Sequence, residues 1–185
     1  MNNKIKSLLG FFAFIVLIAA AYFAYNQLQY HQSADDLIHI PTQSGENLQR
    51  APDIAVYDAY GNEVWLSDFH GRPVVLNFWA TWCPSCGHES PYFETMYHEM
   101  RDEVELLKVV LLDGRRETHS SVDAFMVDNS YTFPLHFDTT GTASRSYGVA
   151  FIPMTFFITA DGYIAATIQG AASEESLRSG VDIIR

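Results

Sequence analysis

Apolar and polar positions fall into three regimes along this chain. From Leu8 to Tyr25, eighteen consecutive residues carry no charge and are rich in Phe, Ile, Leu and Ala, with Lys4 and Lys6 just before them. Such a run is just long enough to span a bilayer as a helix, and the flanking lysines place the N-terminus in the cytoplasm. From residue 26 to about 50 the pattern dissolves: Gln, His, Ser, Asp and Asn surround Pro41 and Gly45 with little periodicity, the composition of a flexible stalk. His31 and His39 read there as solvated linker residues. Beyond residue 51, short apolar runs alternate with turn residues.

Those runs predict the elements of one domain. Ile54-Ala55-Val56-Tyr57 and Glu63-Val64-Trp65-Leu66 flank Ala59-Tyr60-Gly61-Asn62 and form a hairpin signal. Val74 to Phe78 reads as a buried strand, with a helix after it reaching about Met100. Leu106 to Leu112 reads as a continuous apolar strand, buried on both faces. Ser120 or Ser121 caps a helix to about Asn129, with Val122, Phe125 and Met126 on one face. Leu135-His136-Phe137 is a short strand, and Thr142 to Tyr147 a short helix. Met154 to Thr159 and Ile164 to Gln169 flank the turn Ala160-Asp161-Gly162. A last helix starts at Ser173, with Leu177, Val181 and Ile184 as its buried stripe. The order describes an α/β domain built on a mixed sheet covered on both faces. The chain therefore divides into a membrane anchor over residues 1–25, a linker over 26–50 and a domain over 51–185.

A cleaved signal peptide is the competing reading of the first segment, with Ala19-Ala20-Ala21 as the small-residue site. The apolar run continues past it into Tyr22-Phe23-Ala24-Tyr25, which favours an uncleaved anchor with interfacial tyrosines. No Cys follows the segment, which excludes a lipoprotein. Either way the domain is delivered outside the cytoplasm, where disulfide chemistry is in demand. The formal charge is −11, and setting aside Lys4 and Lys6 leaves nine basic against 22 acidic side chains, or −13. Such a surface repels nucleic acid and anionic headgroups.

The two cysteines in the chain, Cys83 and Cys86, stand three residues apart in Trp82-Cys83-Pro84-Ser85-Cys86, where strand gives way to helix. There the free N–H groups and the positive end of the helix dipole stabilise a thiolate, and Cys86 lies one turn on, within reach of a disulfide. Pro91 takes the donor from the carbonyl of Gly87 and should kink the helix. Haem attachment needs His directly after the second Cys, but Gly87 intervenes and His88 comes one place late. Structural zinc needs about four ligands, and no second pair completes the set. A peroxidatic cysteine usually follows a Thr by three positions, whereas Thr81 is two before Cys83. A static disulfide closing so small a loop would constrain little of the unfolded chain. A redox pair remains, with no cofactor and no metal. Cys83, at the helix start and expected to be exposed, is the nucleophile; Cys86 resolves the mixed disulfide.

The stretch Asn77 to Pro91 resembles the active site of the TlpA/ResA-like thiol–disulfide oxidoreductases of the thioredoxin superfamily. Ala51-Pro52-Asp53, Leu66 to Pro73, Tyr147-Gly148-Val149, Ile152-Pro153-Met154-Thr155-Phe156 and Asp161-Gly162 resemble further landmarks of that family, in order. The resemblance implies a thioredoxin fold with an added N-terminal β-hairpin, and matches Pro153 to a cis-proline that faces the disulfide. With it, Trp82, Pro84, Ile152, Pro153 and Met154 would shape the substrate groove. Trp79 is left open between rim and core, and Met154 departs from the Thr common at its position. Glu89, three residues after Cys86 and on the same helix face, matches a Glu that tunes the cysteines' protonation in ResA-like members. Asn77 stands where thioredoxin has a buried Asp, which leaves Glu89 as the substitute.

His88 points away from the pair and reads as surface; Arg115 and Arg116 read as a solvated loop. With no Lys or Arg in the motif, Glu89 nearby and an acidic domain, the thiolate is weakly stabilised and the couple reducing. The expectation is an extracytoplasmic, membrane-anchored reductase of protein disulfides. It would be re-reduced by a membrane electron-donor protein, with apocytochrome c or other oxidised envelope proteins as clients. A disulfide-forming oxidant, and a binding or chaperone module with an idle Cys pair, are the alternatives.

Overall fold

The computed structural model describes residues 12–23, 38–39 and 48–185. The chain divides into two units, Met1–Asp36 and Leu37–Arg185. In the first, residues 12–23 form helix α1, whose side chains are exposed. Among the described residues no helix is long and apolar enough to cross a membrane; the expected span, Leu8 to Tyr25, extends outside those residues at both ends.

The second unit is built on a nine-stranded mixed sheet in the order β1-β9-β8-β5-β6-β7-β3-β4, with β2 also pairing with β9. The strands are β1 (Ile38–His39), β2 (Gln49–Arg50), β3 (Ala55–Asp58), β4 (Glu63–Trp65), β5 (Val74–Trp79), β6 (Glu105–Leu111), β7 (Leu135–Asp138), β8 (Met154–Ile158) and β9 (Tyr163–Gln169). The helices are α2 (Pro84–Met100), α3 (His119–Asn129), α4 (Thr142–Ser146) and α5 (Glu174–Ile184). β5 runs parallel to β6, as β6 does to β7, while β8 and β9 return antiparallel. The β3–β4 hairpin joins this core through β7, Tyr57 opposite Phe137.

Alternation along β5, in the middle of the sheet, divides the core in two. Val75 and Trp79 share one apolar cluster with Phe93 and Met96 of α2, Val122 of α3 and Leu177, Val181 and Ile184 of α5. Leu76 and Phe78 point the other way, to Leu66, Tyr147 and the hairpin's Val56. Helix α5 packs so closely that a Cβ on Gly180 would lie 2.2 Å from the Phe157 ring.

Two expectations are corrected here. Residues 38–39 and 49–50, inside the stretch expected to be a flexible linker, pair antiparallel with β9. The unpaired N–H and C=O groups of an edge strand recruit even polar, aperiodic backbone, so composition alone misses them. The run read as uniformly apolar, Leu106 to Leu112, holds a fully buried Lys108.

Candidate active site

β5 ends at Trp79, and after the turn Ala80-Thr81-Trp82 the chain enters α2 through its N-cap Cys83. Cys83 is the N-cap in extended conformation, and its Sγ accepts the Cys86 backbone N–H at 3.2 Å. Pro84 follows at the first helical position, where a missing N–H is no loss and its φ is already helical. The helix runs on through Pro91. Cys83 and Cys86 form a disulfide, their Cα atoms 5.2 Å apart.

Cys86 is fully buried, and Cys83 is only 5% exposed. The expected exposure of Cys83 is therefore corrected in degree, although it remains the more exposed residue of the pair. The cause lies in the loop before β8: the Ile152 carbonyl oxygen approaches Cys83 Sγ to 3.8 Å. The Ile152–Pro153 peptide is cis, as the resemblance implied. Around the disulfide, Trp82 and Pro84 are exposed, Ile152 is half-buried and Pro153 is buried. Met154 does not fit the expected groove, because it packs into the apolar cluster with Phe78 and Tyr147. Strand alternation explains this, since Met154 pairs with Phe78 and shares its face. Phe151, which sequence reasoning passed over, is half exposed just before Ile152. Trp79 is core, and His88 is on the surface.

Glu89 is fully buried. Its carboxylate accepts the Asn77 Nδ2 amide at 3.0 Å and the Ala172 backbone N–H at 2.9 Å. Asn77, Lys108 and Thr155 stand side by side in register on β5, β6 and β8. Asn77 donates to Thr155 Oγ1 at 2.9 Å and accepts from Lys108 Nζ at 3.1 Å. One amide thus joins a buried carboxylate to a buried ammonium. The ammonium also lies 4.0 Å from the Phe93 ring centre, 4.7 Å from Trp79 and 5.0 Å from Phe133, contacts that favour a cation. Burial raises the Glu89 pKa, against the pull of Lys108, the Ala172 N–H and Asn77. Burial likewise pushes the Lys108 pKa down to about 8, opposed by Glu89.

A second group missed in the sequence lies on the loop after β6. Glu117 is fully buried. It accepts the Thr81 backbone N–H at 2.6 Å, the Thr81 hydroxyl at 2.9 Å and the Ser121 hydroxyl at 2.7 Å. Thr81 belongs to the turn that leads into Cys83, so this carboxylate ties the loop to the motif. The Arg116 guanidinium stacks over Trp82, 3.7 Å from its ring centre, rather than lying free in a solvated loop as expected. Lys108 had a visible signal, a lone cation in an apolar strand. Glu117 and Arg116 had none, because only the fold brings their loop to the motif. Among the described residues no cluster of three or more His, Cys, Asp or Glu is arranged to hold a metal.

The geometry offers one sulfur at a helix N-terminus, a second one turn into the helix, and a buried carboxyl group on the same helix. Residues 48–167 match the family model described as the AhpC/TSA family. The chain is 31% identical over 172 residues to the thiol–disulfide oxidoreductase ResA of Bacillus cereus, covering 93% of this chain and 94% of the relative. The ResA of Bacillus subtilis is 30% identical over 136 residues, 73% of this chain and 74% of its own length. Among solved structures, StoA of Bacillus subtilis superposes with a TM-score of 0.61 at 28% identity, covering 70% of this chain and 96% of that one. A putative thiol:disulfide interchange protein DsbE of Chlorobium tepidum gives 0.63 at 26% identity, covering 75% and 99%. The curated relatives carry thiol–disulfide chemistry in their names, and the chain belongs to the AhpC/TSA family as a thioredoxin-fold thiol–disulfide oxidoreductase of the ResA type.

Proposed function

We propose that this enzyme is an extracytoplasmic reductase of protein disulfides, held to the membrane by residues 1–25 through the segment 26–50, with 51–185 as its redox domain. The observation that carries the direction is the buried Glu89 carboxylate three residues after Cys86 on α2, which accepts hydrogen bonds from Asn77 and Ala172. A negative charge there disfavours the thiolates, and a dithiol whose thiolate is weakly stabilised is the stronger reductant.

In the proposed cycle the Cys83 thiolate, held by the Cys86 N–H, attacks one sulfur of a client disulfide. The client's other sulfur leaves as a thiolate and takes a proton from water. The Cys86 thiol gives its proton to Glu89, whose raised pKa suits a base that must hold it briefly. The Cys86 thiolate then displaces the client's second sulfur from Cys83, closing the Cys83–Cys86 disulfide; that sulfur leaves as a thiolate and takes the proton held by Glu89. Two electrons and two protons from a membrane electron-donor protein restore the dithiol. Trp82, Pro84, Ile152 and Pro153 form the client groove, with backbone of residue 152 placed for strand-like pairing. Met154 supports Phe78 from behind. Clients are oxidised envelope proteins, apocytochrome c among them.

The second reading is a disulfide-forming oxidant. It draws on Arg116, whose charge lies on the residue next to Cys83 and would stabilise its thiolate. Equilibration with glutathione decides between the two. A potential near about −270 mV or below is the expected result, and one near about −120 mV would make the protein an oxidant. Insulin reduction, lost in the Cys83→Ser, Cys86→Ser double variant, excludes an idle pair.

A further inference from the structure

The loop that carries Arg116 is held in place by two carboxylates that take no part in the proposed cycle. Asp113 Oδ1 accepts the backbone N–H groups of Arg115, Arg116 and Glu117, each at 2.8 Å. Gly114 occupies the left-handed region at φ +70°, and its N–H reaches the Glu117 carbonyl at 3.0 Å. At the far end Glu117 is buried against Thr81 and Ser121. Among the described residues no Lys or Arg pairs with Glu117. Burying a carboxylate without a cation is costly unless donors replace its water. Here the donors sit on the two structures being joined, the Thr81 turn and the start of α3.

What this fixes in space is Arg116. Its guanidinium face covers the indole of Trp82, a residue 38% exposed directly before Cys83. Stacking uses the face and leaves the N–H edge available to a carboxylate. Among the described residues no carboxylate lies within ion-pair distance of Arg116. Asp113 feels the Arg116 charge only weakly, and the domain is acidic as a whole, so an oriented cation with no direct ion-pair partner beside the nucleophile is out of keeping with its surface. An arginine edge of this kind recognises carboxylates in a directional way.

Building on the proposed reading of the site, we infer that Arg116 selects clients that carry an Asp or Glu beside the disulfide cysteine, with Trp82 as the platform that orients it. The selection is local. The domain's overall negative field slows the approach of acidic chains, so the preference depends on the contact and weakens with salt.

The test uses the full-length chain, pre-reduced, in single turnover with synthetic peptides closed by one intramolecular disulfide and differing only in the residue beside each cysteine: Glu, Gln or Lys. In each reaction the peptide disulfide is reduced to two thiols while Cys83 and Cys86 are oxidised to their disulfide, so no other electron source is needed. The readout is the ratio of second-order rates within each variant, which a general loss of activity leaves unchanged. At low salt wild type should reduce the Glu peptide several-fold faster than the Lys peptide, about the two- to fivefold expected of a partly exposed ion pair. Arg116→Gln should bring the ratio to one or below, as the domain's negative field alone dictates, and Arg116→Glu should push it further toward the Lys peptide. Arg115→Gln, which removes the same charge from the same loop, should keep the wild-type ratio. Equal rates in wild type, a preference surviving in Arg116→Gln, or its loss in Arg115→Gln would each overturn the inference. If wild type reduces none of the three peptides, the reductase reading itself falls and this inference falls with it.

Discussion

At the scale of single residues, the most informative position is Asn77, whose amide faces a carboxylate on one side and an ammonium on the other. Lys108 has a folded pKa near 8, below the ordinary 10.5. A basic group depressed in this way adds stability above its unfolded pKa and loses it as pH falls through the folded value. Wild type should therefore gain stability relative to Lys108→Met between pH 8 and 10.5, by at most about 3 kcal/mol. Urea midpoints of the two proteins across that window measure the difference, and parallel curves would contradict it. Glu89→Gln removes charge beside the sulfurs at nearly constant shape. Alkylation rate against pH should show a lower Cys83 pKa in that variant, and client turnover should slow. Superimposable titrations would reduce Glu89 to a packing residue. His136 provides a third case, since burial pushes its pKa down to about 4, against the raising effect of Asp58. Its contribution is present above the ordinary 6.5 and is lost as pH falls toward 4. Acid unfolding should consequently be shallower in His136→Gln, by up to about 3 kcal/mol over that interval.

At the scale of elements, periodicity found the strands and helices that have an apolar face, and spacing found the Cys pair. Val74 to Phe78, the capped start at Ser173 and both hairpins were legible because each has a local cause in turn chemistry or alternation. What stayed hidden was non-local. β1 and β2 exist because β9 has an open edge, which no local pattern in residues 38–39 or 49–50 announces. Lys108 was passed over because one cation does not interrupt an apolar run, and its partner Asn77 lies 31 residues earlier. The loop of residues 113–117 has no periodicity at all; its order comes from carboxylates binding backbone. Glu117→Gln weakens the acceptor that holds Thr81 and Ser121, and should cost about 1–3 kcal/mol in urea unfolding. Because Thr81 leads into Cys83, the same variant should also broaden the dependence of Trp82 fluorescence on the redox state of the pair. An unchanged urea midpoint would show that the loop's attachment lies elsewhere.

At the scale of the whole molecule, the pair sits at the end of the central strand, reached from β8 on one side and from the loop after β6 on the other. Among the described residues the two lateral margins of the sheet are short: β4 has three residues, and the β9 side is covered by the two-residue strands β1 and β2. Under the proposed function, the enzyme would meet oxidised, incompletely folded chains whose extended segments look for a partner. Long open margins would let such segments add on as extra strands and seed insoluble assemblies. Short margins offer too few ladder positions to retain them, so a passing chain is held only where a sulfur can be exchanged and is released once the exchange is complete.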